Sequence, residues 1–61
     1  MILVHRLGQE EGLIAINADM IEFIESNPDT FIVLSNNKKI VVKETMTEVI
    51  ELIREYKRSI K

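Results

Sequence analysis

The stretch Asn27-Pro28-Asp29-Thr30-Phe31-Ile32-Val33-Leu34-Ser35-Asn36-Asn37-Lys38-Lys39-Ile40-Val41-Val42 decides the fold. It is a turn, an apolar run, a short polar break and a second apolar run. The proline presets φ for the first central position of a β-turn, and Asp29 can bond to nearby backbone. Residues 30–34 form a strong strand signal because they are β-branched, aromatic or aliphatic throughout. Asparagine tolerates the left-handed region, so Asn36-Asn37 is expected to be the central pair of a type I′ turn. Residues 39–43 then return. In that register Val33 faces Ile40 and Phe31 faces Val42 on one side. Ile32 and Leu34 lie opposite Val41 and the stem of Lys39 on the other. Both faces of this hairpin are apolar.

Upstream, residues 1–7 carry Ile2, Leu3, Val4 and Leu7 and form a strand bounded by Gly8. Gly8-Gln9-Glu10-Glu11-Gly12 suits a hairpin loop, since glycine reaches positive φ without a steric penalty. A second strand follows over residues 13–17. Asn17 could cap a helix, but only about six residues separate Met20 from the next turn, a strand's length. Residues 17–19 are therefore expected to be a tight turn or bulge, and residues 20–26 a third strand. Downstream, Thr45-Met46-Thr47-Glu48 matches the capping box that opens a helix. Met46, Val49, Ile50, Leu52, Ile53, Tyr56 and Ile60 fall within a stripe roughly 160° wide at helical spacing. Acidic residues come early and basic ones late, as the helix dipole favours. Glu51 with Arg54 and Glu55 with Arg58 are spaced for ion pairs.

The expected fold is thus α+β over one domain, residues 1–61. It has a small antiparallel five-stranded meander (residues 1–7, 13–17, 20–26, 30–35 and 39–43), with barrel-like closure as an option, and an amphipathic helix over residues 45–60. Five strands at about 4.8 Å spacing make a sheet roughly 24 Å wide, whereas one helix covers about 10–12 Å. Apolar surface left bare on this scale marks an interface. A 61-residue chain is also marginal by itself, burying only about 60% of its unfolded surface. It contains no cysteine, so disulfides and thiolate metal sites are excluded. A homo-oligomer is the expected remedy. Its candidate interface is Pro28, Asp29, Thr30, Phe31, Ile32, Leu34 and Val41.

Catalytic signals are absent, and no enzyme, metal or cofactor is expected. His5 stands beside Arg6 near a strand end, an ordinary edge position. Ser26, Ser35 and Ser59 have no nucleophile motif around them, and both glycines flank acidic residues that would repel phosphate. Lys38, Lys39, Lys43, Arg54, Lys57 and Arg58 form a candidate basic patch. Solubility and dipole complementarity explain them as well, and the net charge of −2 argues against nucleic acid. No run approaches the roughly 18 residues of a membrane span, and Met1-Ile2-Leu3-Val4 is followed at once by His5-Arg6, unlike a signal peptide. The expected location is the cytoplasm.

Asn17-Ala18-Asp19-Met20-Ile21-Glu22, Ile24-Glu25, Pro28-Asp29-Thr30, Ile32 and Leu34 together resemble the FlbD/SwrD family of flagellar and swarming-motility proteins. Lys38-Lys39-Ile40-Val41-Val42-Lys43-Glu44 and Glu48-Val49-Ile50 are similar to that family's ending, and Met1-Ile2 with Arg6-Leu7 to its opening. The Pro-Asp-Thr segment is the most specific part. Two turns depart from the pattern: the loop after Leu7 is longer, and Asn36-Asn37 stands where Asn-Gly is usual. The resemblance implies a non-enzymatic motility factor acting by protein–protein contact, with a flagellar motor or stator component as partner, near the membrane. It offers no binding residues to carry over. A competing expectation is an oligomeric nucleic-acid-binding regulator, because the strand–hairpin–helix unit also resembles part of LytTR-like domains.

Overall fold

Alternation along the first two strands sets inside against outside in the computed structural model, which describes residues 1–8 and 12–59. Strands β1 (Ile2–Arg6) and β2 (Gly12–Ile16) pair antiparallel. Ile2 opposite Ile16 and Val4 opposite Ile14 face the interior, with Ile2, Val4 and Ile16 buried. Leu3 opposite Ala15 and His5 opposite Leu13 face outward, where Leu3 is 53% and Leu13 61% exposed. Gly8 has φ +118°, a conformation that L side chains rarely adopt. The expected loop at Gln9, Glu10 and Glu11 lies outside the described residues.

The ambiguity at Asn17 resolves into both devices at once. Its side chain accepts from the Asp19 N–H at 3.0 Å and its carbonyl from the Met20 N–H at 2.9 Å. These close a single 3₁₀ turn, Ala18–Met20, which passes directly into β3 (Ile21–Ser26). A short polar side chain satisfies the free donor, and the β-branched residues that follow prefer the strand.

Strands β3, β4 (Thr30–Leu34) and β5 (Lys39–Val41) form a meander in that order. The β4–β5 register is one residue off the expected one: Ile32 opposes Ile40, Phe31 opposes Val41 and Val33 opposes Lys39. The loop has three residues, 35–37, closed by the Leu34 N–H on the Lys38 carbonyl and the Asn37 N–H on the Leu34 carbonyl, both at 2.9 Å. Only Asn37 takes positive φ, at 71°. A type I′ turn demands positive φ at two positions, and the three-residue loop demands it at one. The shift exchanges the faces, as any one-residue slip does. Ile24, Ile32 and Ile40 line up on the inner face, and Phe23, Phe31, Val33 and Val41 on the outer.

The five strands form two sheets, of two and three strands, rather than one continuous sheet or a closed barrel. The Arg6–Val42 bridge and two backbone bonds, Leu7 N–H to the Val41 carbonyl at 2.9 Å and Lys43 N–H to the His5 carbonyl at 2.8 Å, stitch β1 to the end of β5. β5 is just three residues long before the chain leaves for the helix, so no long ladder can form there. Helix α1 (Met46–Ser59) opens with the expected reciprocal cap. The Glu48 N–H donates to Thr45 Oγ1 at 3.1 Å and the Thr45 N–H to Glu48 Oε1 at 2.8 Å. Val49 is fully buried among Ile2, Val4, Ile16, Ala18, Ile32 and Val42, with Leu52, Ile53 and Tyr56 packed against that cluster. Ile60, expected on the same stripe, lies outside the described residues.

Candidate interaction surfaces

Where β5 departs from β1, a side chain takes over the hydrogen bonding of the strand. Glu44 Oε1 accepts the His5 backbone N–H at 2.9 Å, and Glu44 Oε2 lies 2.7 Å from His5 Nδ1. A carboxylate only accepts, so that ring nitrogen is assigned the proton. Partial burial pushes the Glu44 carboxyl up, but bonds from the His5 ring, the His5 N–H and its own N–H outweigh this and hold it below its ordinary value. His5, expected to be an ordinary edge histidine, has an exposed ring that nonetheless anchors the helix entry. Sequence gives no signal for a pair 39 residues apart.

The candidate interface residues divide among three environments. Pro28 and Asp29 are exposed in the β3–β4 loop and border a cleft of about 330 Å³ shared with Leu7, Lys43 and Glu44. Thr30 and Ile32 are buried, at 6% and 0% exposure, and Leu34 packs against the core. Phe31 and Val41 are half-buried on the outer face of the meander. Beside them stand Val33 and Phe23, the latter 45% exposed and not singled out from sequence. Its alternation with Ile24 would have identified it once residues 21–26 were fixed as a strand. Helix α1 packs on β1 and β3. Lys39 extends over the outer face, its Nζ 4.1 Å from the centre of the Phe31 ring, a cation–π contact.

The candidate basic residues do not converge on one patch. Lys38 and Lys39 join Arg6 along a second cleft of about 550 Å³, floored by Ile14, Met20, Leu34 and Ile40. Arg54 and Arg58 sit on the helix, 3.6 Å from Glu51 and 3.1 Å from Glu55 respectively. Lys57 is exposed on the last turns of α1, and Lys43 borders the smaller cleft. A third cleft, about 330 Å³, is lined by Leu3, Leu52 and the carboxylates Glu44, Glu48, Glu51 and Glu55. Among the described residues no three or more of His, Asp and Glu are grouped to hold a metal ion, and no helix is long and apolar enough to cross a membrane.

Searches of curated proteins and of solved structures find no match to this chain. The sequence model of one family, FlbD, described as flagellar and swarming motility proteins, matches residues 1–61, the whole chain. Its extent covers the Pro28-Asp29-Thr30 loop, the meander and the capped helix alike, and the chain belongs to the FlbD family of flagellar and swarming motility proteins.

Proposed function

We propose that the protein is a non-catalytic, cytoplasmic motility factor that binds a protein component of the flagellar motor, in the manner expected of a SwrD-like support of stator power. The observation that carries this reading is the outer face of β3–β5, where Phe23, Phe31, Val33 and Val41 stand together beyond the core. Family membership supplies the biological setting. An apolar sheet face of this kind is a surface another protein covers, and Lys39 and Glu25 at its margin supply a polar rim.

Deletion of the gene should leave filaments assembled while swarming and motor torque fall. The double change Phe23→Asp with Val41→Asp should reproduce that loss in a chain that keeps its helical circular dichroism. Loss of filaments would move the role to assembly, and normal swarming by a folded double variant would remove the outer face from the function. The chain's cations give weak support to a nucleic-acid-binding regulator, since Arg54 and Arg58 are paired with glutamates. Retention on DNA that falls steeply with salt would nonetheless establish that function in place of the adaptor.

A further inference from the structure

Two of the clefts differ in the charged residues that line them. Among the described residues the larger is lined by Arg6, Lys38 and the stem of Lys39, whose ammonium lies over Phe31, and by no carboxylate. Among the described residues the one beside α1 is lined by four carboxylates and no cation, with Arg54 and Arg58 reaching Glu51 and Glu55 along the exposed helix. The chain as a whole is only weakly acidic, at −2, so the separation is a matter of placement. Each cleft also has an apolar floor, Leu34 and Ile40 in one and Leu3 with Leu52 in the other. Among the described residues none lines both.

We propose that these clefts are the two halves of one contact, through which a second copy of this chain docks the acidic face of α1 into the basic cleft. Charge complementarity selects the occupant, because Glu48 and Glu51 set carboxylates beside the apolar Leu52, the inverse of the cationic Arg6 and Lys38 beside Leu34 and Ile40. The basic side is anchored locally, since the Lys38 N–H donates to Asn36 Oδ1 at 3.1 Å and the Leu34 N–H to the Lys38 carbonyl. The acidic side can exchange partners at little cost, because its pairs with Arg54 and Arg58 are more than half exposed. Docking also covers Leu3 and adds the burial that so short a chain lacks. Contact between unlike patches is head-to-tail, so it closes into a ring, pairs reciprocally, or grows.

The test is sedimentation velocity on the full chain at low ionic strength and in roughly 1 M salt, where the Debye length falls to about 3 Å. Self-association at low salt that weakens at least tenfold in high salt is expected. Lys38→Glu with Lys39→Glu should abolish it, as should Glu51→Lys with Glu55→Lys. An equimolar mixture of the two variants should associate again, because each acidic helix then meets a basic cleft. Circular dichroism checks the fold of each, and the neutral pairs Lys38→Gln/Lys39→Gln and Glu51→Gln/Glu55→Gln replace any that misfold, with weakened self-association expected of both. A monomeric wild type at low salt, variants that associate undiminished, or a charge-reversed mixture that stays monomeric would each overturn the proposal. So would association lost in Val41→Asp but kept in the charge variants, since that assigns the contact to the outer face. Swarming of the Phe23→Asp/Val41→Asp variant scores the motility reading separately.

Discussion

The most decisive perturbation of the fold is truncation at neighbouring positions of β4. Ile32 is fully buried between Ile24 and Ile40, whereas Val33 is half-buried on the outer face between Phe23 and Lys39. Ile32→Ala deletes three buried carbons, worth about 2.4 kcal/mol at roughly 0.8 kcal/mol each. The cavity left behind raises the cost to about 3–4 kcal/mol. Val33→Ala removes two carbons already half in water, about 0.8 kcal/mol. Both lose similar strand propensity, so the contrast survives that term. For 61 residues the whole stability is about 3–9 kcal/mol, and the Ile32 change should lower Tm by about 12–30 °C. Urea unfolding followed by circular dichroism, at one protein concentration in high salt, separates the two variants. Equal losses, or a larger loss at Val33, would refute the assignment of the Ile24–Ile32–Ile40 face to the core.

Two further changes probe the turn and the clamp. Asn37→Ala places a Cβ-restricted side chain at φ 71° and should cost about 1 kcal/mol, while Asn37→Gly should cost none; urea midpoints report both. Glu44 is held below its ordinary value of 4.5 in the folded chain, so the folded form favours the ionised carboxylate. Its contribution is fully present above that pH and is lost as pH falls through the lower folded value. Stability measured at descending pH below 4.5 should therefore fall more steeply in the wild type than in Glu44→Gln; identical slopes would deny the clamp its electrostatic part.

The legible parts of this molecule are those written in short range. The reciprocal bonds of Thr45 with Glu48 follow from a four-residue pattern, and the strand signal of residues 30–34 from side-chain shape alone. Register was not legible, because Asn36-Asn37 is compatible with a two-residue or a three-residue loop and both faces of the hairpin are apolar. Normally a polar face penalises the wrong register; here Val33, Phe31 and Val41 impose no such penalty. The same two-sidedness made Ile32 look like a surface residue beside Phe31, when one side of the ladder is core. The split into two sheets depends on where β5 stops, three residues in, and on a seam to β1 that joins residues far apart in sequence. The two clefts draw on residues spread from β1 to α1 and have no linear signature.

The grip of Glu44 on His5 has a consequence for the order of events in folding. Each hairpin pairs residues close in sequence, but the seam between β1 and β5 joins His5 to residues 38 and 39 positions away. Closing such a span costs roughly (3/2)RT ln n, about 3 kcal/mol for a loop of this length, against two backbone bonds and one carboxylate. The seam therefore repays its entropy only once both sheets already exist to be joined. It behaves as a clasp: the last part to engage, and the first whose amides exchange with solvent when the molecule breathes.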